Sequence, residues 1–170
     1  MNEEESDLQF SAAGQLRHLL TLRGLKRAQL TNLLDQSEQF LSAMGDPVMR
    51  RDTLQGKTVT NLFFEPSTRT RASFDLAARR LGADVLNLDV NTSSRKKGES
   101  ILDTIYTLQA MQIDIMVVRD AGVGVPAYIA RHVDDFVSIL NAGEADVSHP
   151  TQGLLDMLTI RQEKGDFSDL

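Results

Sequence analysis

The chain of 170 residues has no cysteine and no tryptophan, and only 5% of it is aromatic. Without cysteine there is no disulfide staple, no thiolate metal site and no cysteine nucleophile, a usage that fits a reducing compartment. No apolar run approaches the roughly 20 residues needed to span a bilayer. The opening MNEEESDLQF is acidic, where a secretory leader would be basic and then apolar. A cytoplasmic location is expected. Positive charge is also scarce, with 18 Lys and Arg against 24 Asp and Glu for a formal net charge of -6. That argues against the extended basic field of bulk nucleic-acid binding, so neither nucleic acid nor membrane is an expected partner. An acidic protein that takes up an anion must gather its cations locally.

What is present is the composition of a globular protein, 41% hydrophobic and 25% charged, in a chain long enough for one domain and one core. Residues 1–9 read as a solvated tail. The domain reading sets 1–12 apart as a flexible acidic extension and assigns 13–170 to a single folded unit. Between Gly24 and Gly45, Leu30, Leu33, Leu34, Leu41 and Met44 follow a helical period, and Gly45 is a natural stop. A polar connector, Asp46 to Gly56, follows. Apolar runs at Thr58 to Phe64, Asp84 to Val90, Ile113 to Val118 and Phe136 to Leu140 read as strands. Helical segments alternate with them, at Thr68 to Leu81, Glu99 to Met111, Pro126 to His132 and Pro150 to about Glu163. Nearly all-apolar strands alternating with helices predict an α/β fold, a parallel sheet with helices on both faces.

In such sheets ligands bind beyond the carboxyl ends of the strands. Ser67, Thr68, Arg69 and Thr70 follow the first strand, the loop Asn91 to Gly98 the second, Arg119 the third, and His149 to Gln152 the fourth. In the first cluster, a serine at a helix N-cap leaves outward N–H groups, the helix dipole adds positive potential, and hydroxyls and Arg69 can contact a phosphate. The same residues would serve equally as a plain capped helix with surface arginines. The spacing is neither that of a P-loop nor that of a dinucleotide fingerprint, so no nucleotide is implied. Arg95, Lys96 and Lys97 break the acidic trend in a small-residue loop, which is either a solvated loop or one that closes over an anion. Arg119 is either an anion contact or a partner for Asp120. His149 precedes Pro150, which suits the first position of a helix. His18 and His132 lie away from the rim and read as structural.

Taken together, Ser67-Thr68-Arg69-Thr70-Arg71, Lys96-Lys97-Gly98-Glu99 with Asp103-Thr104, Arg119, and His149-Pro150-Thr151-Gln152 resemble the aspartate and ornithine carbamoyltransferase family. The likeness runs from about Gly56 to Arg161. The paired lysines, and Gly153-Leu154-Leu155-Asp156 after the second signature, are similar to the aspartate branch. The resemblance implies that Ser67, Thr68, Arg69 and Thr70 hold the phosphate of carbamoyl phosphate. Thr70, Arg119 and His149 would meet the carbamoyl oxygen, and Gln152 the carbamoyl amino group. Ser93 and Lys97 would come from a neighbouring subunit of a homotrimer. No metal or organic cofactor is implied. The reaction implied is transfer of the carbamoyl group to the amine of L-aspartate in pyrimidine biosynthesis.

Members of this family carry a second α/β domain that binds the amino acid. The chain ends at Leu170, where that domain would begin, so the expectation is weak carbamoyl-phosphate binding and little or no turnover from these residues alone. The alternatives are an ornithine or other amino-acid carbamoyltransferase, or a non-catalytic binding or scaffold module. In the latter, Met1 to Phe10 would contact a dihydroorotase-like or regulatory chain.

Overall fold

The structure is a computed structural model that describes residues 7–42, 45–89, 100–165 and 167. Its elements run α1 (Arg27–Glu38), β1 (Thr58–Phe63), α2 (Thr68–Arg80), β2 (Asp84–Asp89), α3 (Ile101–Ala110), β3 (Ile115–Asp120), α4 (Val125–Ala130), β4 (Ser138–Glu144) and α5 (Pro150–Lys164). The four strands form one parallel sheet in the order β2-β1-β3-β4. Alternation along the strands divides the core in two. Leu62, Met116, Val118 and Ile139 pack with Ile105 and Leu108 of α3 and with Ala127, Ile129 and Ala130 of α4. Val59, Phe63, Val117 and Ala142 pack on the other side with Ala78 of α2. Each fully buried Leu, Ile or Met contributes about 1.5–3 kcal/mol relative to exposure. The predicted sheet, helices on both faces included, is the one observed.

The chain leaves β1 for β2 on one side, then returns to place β3 on the other. The switch point of the sheet therefore lies between β1 and β3, whose carboxyl ends flank a crevice. Arg119 lies at this end of β3, and Glu65 to Thr70 follow β1 from it.

Three boundaries differ from the sequence reading. α1 stops at Glu38, with Gln39 as its C-cap and Leu41 exposed, while Met44 lies outside the described residues. The third and fourth strands each run two or more residues further along the chain than the apolar runs suggest. Gln112 turns at φ 62°, and Asp114 is used before the strand begins: Lys57 Nζ and the Thr58 N–H donate to its carboxylate at 2.6 and 2.9 Å. At the far ends, polar residues stay in the sheet. Asp120, Asn141 and Glu144 are all buried there.

The N-terminal segment also departs from a free tail to residue 12. Gln9 is fully buried. Its Oε1 accepts from the Leu20 and Thr21 N–H groups at 2.8 and 2.9 Å, and its Nε2 donates to the Arg23 carbonyl at 3.3 Å. One amide satisfies backbone groups that burial would otherwise leave unpaired. No helix among the described residues is long and apolar enough to cross a membrane.

His18 is structural, as expected: it is 1% exposed and its Nδ1 accepts from the Ile139 N–H at 2.9 Å. Burial, reinforced by the Arg17 charge, lowers its pKa from 6.5 to about 4. Above pH 6.5 the imidazole is neutral in both folded and unfolded chains. Between pH 6.5 and 4 the unfolded chain takes up a proton that the folded chain refuses, so stability falls with pH through that window. The loss expected is on the order of 3 kcal/mol, at about 1.4 kcal/mol per unit. Urea midpoints measured across this range check it; a flat profile would contradict a buried neutral imidazole. His132 donates from Nδ1 to the Tyr128 carbonyl at 2.8 Å and packs on the Tyr128 ring.

Candidate functional site

β1 ends at the buried Phe63, and the equally buried Phe64 just after it donates its N–H to the Arg119 carbonyl at 2.8 Å. Pro66 then disfavours helical geometry at Glu65 and turns the chain out of the sheet. Ser67 is the N-cap of α2 at φ -153°, ψ 89°, yet its hydroxyl accepts no helix N–H. His149 holds the same position on α5, at φ -144°, ψ 80°, with Pro150 in the first turn and again no side-chain cap. A Pro at that place removes an N–H that no helical carbonyl would reach. Two helix N-termini, neither closed by its own side chain, thus flank one region. Each carries a partial positive charge and suits an anion.

Contrast α3, where Ser100 caps in the ordinary way: its hydroxyl accepts the Asp103 N–H at 3.2 Å, and Asp103 accepts the Ser100 N–H at 3.0 Å. Ser100→Ala should cost about 1 kcal/mol, the usual value of a cap. Ser67→Ala should leave the urea midpoint nearly unchanged while weakening anion binding. Equal destabilisation by both changes would show that Ser67 is only a cap.

Between α2 and α5 lies a cleft of about 640 Å³. Arg69, Thr70, Ser73, Phe74 and Ala77 line it from α2, and His149, Thr151, Gln152 and Leu155 from the start of α5. Four of the residues singled out in the sequence therefore share one cavity. Thr68 faces a separate depression of about 490 Å³, shared with Arg71, Asp75, Arg79 and Asn87. Arg119 does not line the cleft. It sits close enough for its charge to reinforce burial in holding the His149 pKa below the ordinary histidine value. Ser93 and Lys97 lie outside the described residues.

His149 is therefore neutral at pH 7. Its Nδ1 is 3.3 Å from Thr151 Oγ1. In the tautomer in which Nδ1 accepts from that hydroxyl, the proton sits on Nε2, free to donate to a ligand oxygen. Gln152 Nε2 donates to Asp156 at 2.8 Å, which leaves the amide oxygen to accept from a ligand N–H.

Arg119 pairs not with Asp120, the partner its neighbour in sequence suggested, but with Glu65. Nη2 is 2.7 Å from Glu65 Oε1, and Nη1 donates to the Ala142 carbonyl at 3.0 Å. The geometry explains the choice. Successive residues on a strand point to opposite faces, whereas Glu65 leaves the neighbouring strand β1 beside Arg119. Asp120 turns back instead, its Oδ1 accepting the Gly122 N–H at 2.7 Å. Sequence reasoning assigned no role to Glu65 or to Gly143. The available signals were an acid next to Pro at a strand end and a glycine near the end of a strand.

Residues 17–162 match the family model described as aspartate/ornithine carbamoyltransferase, carbamoyl-P binding domain. Among solved structures, the ornithine carbamoyltransferase of Thermus thermophilus is 29% identical with a TM-score of 0.81, over 92% of this chain and 52% of that one. The aspartate transcarbamoylase of Trypanosoma cruzi, solved with aspartate and phosphate, is 37% identical with a TM-score of 0.77, over 88% of this chain and 46% of that one. The catalytic subunit of M. jannaschii aspartate transcarbamoylase is 36% identical with a TM-score of 0.76, over 88% and 48%. The chain belongs to the aspartate/ornithine carbamoyltransferase family, matching its carbamoyl-phosphate-binding domain. It spans about half the length of the solved structures it matches.

Proposed function

We propose that this chain is the carbamoyl-phosphate-binding half of an aspartate carbamoyltransferase. The observation that carries the reading is the cleft in which Arg69, Thr70, His149 and Gln152 meet between two uncapped helix N-termini. Arg69, Thr70 and the α2 N-terminus with Ser67 hold the phosphate, and Thr68, whose side chain faces the neighbouring depression, contributes through its backbone N–H. The neutral amine of aspartate attacks the carbamoyl carbon, a C–N bond forms, and negative charge builds on the carbonyl oxygen. Donors from Thr70, His149 and Arg119 stabilise that oxygen, each such donor being worth roughly 3–4 kcal/mol. Collapse breaks the C–O bond to phosphate, which leaves with the electron pair and can take the amine proton. Gln152 orients the carbamoyl amino group. Ser93 and Lys97 complete the site from a neighbouring subunit in a homotrimer, and the product feeds pyrimidine biosynthesis in the cytoplasm.

Lys96-Lys97 and the higher identity with the two aspartate enzymes, 36–37% against 29%, favour aspartate over ornithine. The backbone fit runs slightly the other way, at 0.81 against 0.76–0.77. Side chains, not a shared backbone, discriminate between amino acids, so the identity carries more weight. The natural protein that carries this chain, assayed with carbamoyl phosphate and each amino acid in turn, should make carbamoyl-aspartate. Citrulline as the product would move it to the ornithine branch. The 170 residues alone should turn over neither amino acid appreciably, and appreciable turnover would contradict their role as half a site.

A further inference from the structure

Near the end of β4 the ladder with β3 changes register. Val118 pairs with Asn141, and Asp120 with Glu144, so Ala142 and Gly143 together stand opposite the single residue Arg119. This is a β-bulge, a device that bends a strand and re-aims the side chains beside it. Here the side chain is Arg119. Its Nη1 is held by the Ala142 carbonyl within the bulge and its Nη2 by Glu65. A Cβ built on Gly143 would overlap Nη1 and come within 2.9 Å of Cζ. Gly143 also adopts φ +125°, which L side chains rarely take. Asn141 Oδ1 accepts the Gly143 N–H at 2.9 Å and pins the bulge from beneath.

We propose that Gly143 is a positioning residue for the anion site: its bare Cα, set in the bulge opposite Arg119, is the seat of the Arg119 guanidinium. A methyl group at 143 has nowhere to go except into the arginine, whose head group must then leave the seat between Ala142 and Glu65. The inference rests on the reading of Arg119 as a carbamoyl-phosphate contact, and it adds the backbone feature that places that contact.

A double-mutant cycle on this chain tests it, with carbamoyl phosphate titrated against amide NMR spectra that also report the fold. Arg119→Gln should weaken binding about 30-fold and Gly143→Ala about 10-fold, with the double variant within about twofold of Arg119→Gln alone. Strain from the backbone at 143 would act in either background, whereas a collision with the guanidinium acts only when the guanidinium is present. Equal penalties for Gly143→Ala in both backgrounds, or none in either, would overturn the proposal. An Arg119→Gln variant that binds normally removes the underlying reading of Arg119, a different failure that takes the proposal with it. If Gly143→Ala does not fold, Gly143→Ala with Arg119→Ala decides. Recovery of the folded spectrum supports the collision, and continued unfolding overturns it by showing that the backbone angle alone demands glycine.

Discussion

Arg69→Ala should abolish measurable carbamoyl-phosphate binding and leave the fold intact. Arg69 lines the cleft and is exposed, and no ion pair or hydrogen bond holds its guanidinium among the described residues. The arginines that serve the fold differ. Arg17 spans to Asp135 and the Val133, Asp134 and Val137 carbonyls, Arg79 pairs with Asp75, and Arg161 pairs with Asp35 and Glu38. A free guanidinium at a helix N-terminus inside a cleft is available for a phosphate, and its fork matches two phosphate oxygens. Truncating one partner of such a charge pair costs about 2–5 kcal/mol, or roughly 30- to several-thousand-fold in affinity. Urea unfolding should change by no more than about 0.5 kcal/mol, as for surface substitutions generally. Arg79→Ala is the control, because it removes only an exposed pair worth about 0–1 kcal/mol and should bind normally. Undiminished phosphate affinity in Arg69→Ala would remove the cradle from the proposal.

Asn141→Leu should produce the largest loss of stability of any single change considered. Asn141 is fully buried in β4. Its Oδ1 accepts the Gly143 N–H at 2.9 Å, and its Nδ2 donates to the Leu20 carbonyl at 2.9 Å and to Glu144 at 3.2 Å. Glu144, itself 5% exposed, in turn accepts the Gly124 N–H at 2.6 Å. Leucine matches the volume and strips all three bonds: the buried Gly143 N–H loses its side-chain acceptor, the Leu20 carbonyl keeps only the Ser148 hydroxyl at 3.3 Å, and Glu144 keeps only the Gly124 N–H. An orphaned buried group costs about 1–3 kcal/mol and each of the other two lost bonds about 1 kcal/mol, so the sum is about 3–5 kcal/mol. A domain of this size commonly has only about 5–15 kcal/mol in total. Most of the chain should therefore be unfolded or close to it at 37 °C, by circular dichroism and amide spectra. Retention of a wild-type urea midpoint would mean that the network contributes nothing net.

Much of the site was legible in the sequence because its parts are local. Ser67 to Thr70 and His149 to Gln152 are runs of consecutive residues at helix starts, and the chemistry of a helix start is written in its own few residues. The fold class was legible for the same reason, since strand and helix periods can be read within a dozen residues. What failed to show was non-local. Of the two readings of Arg119, the pairing with its sequence neighbour Asp120 fails, because strand alternation sends the two to opposite faces and leaves Glu65, on another strand's exit, as the partner. The acidic residues of the tail suggest a free segment, whereas the burial of Gln9 depends on backbone groups 11 and 12 residues away. Apolar runs place the ends of β3 and β4 too early because they stop where polar residues begin. At this rim, polar residues stay in the sheet by bonding to one another.

The alternation of apolar runs determined by itself a parallel α/β domain, and the helix-start residues and the local gathering of cations in an acidic chain set the candidate anion-binding residues on one rim. Periodicity and capping are short-range properties, so one dimension suffices to express them. Only the tertiary structure decided that Arg119 answers to Glu65, that a bulge at Ala142 and Gly143 faces it, and that Asn141 ties that bulge to Leu20, 121 residues away in the chain. Those contacts exist because the sheet brings distant strand ends together, and which residue a bulge faces is set by the partner strand, not by the sequence around the bulge.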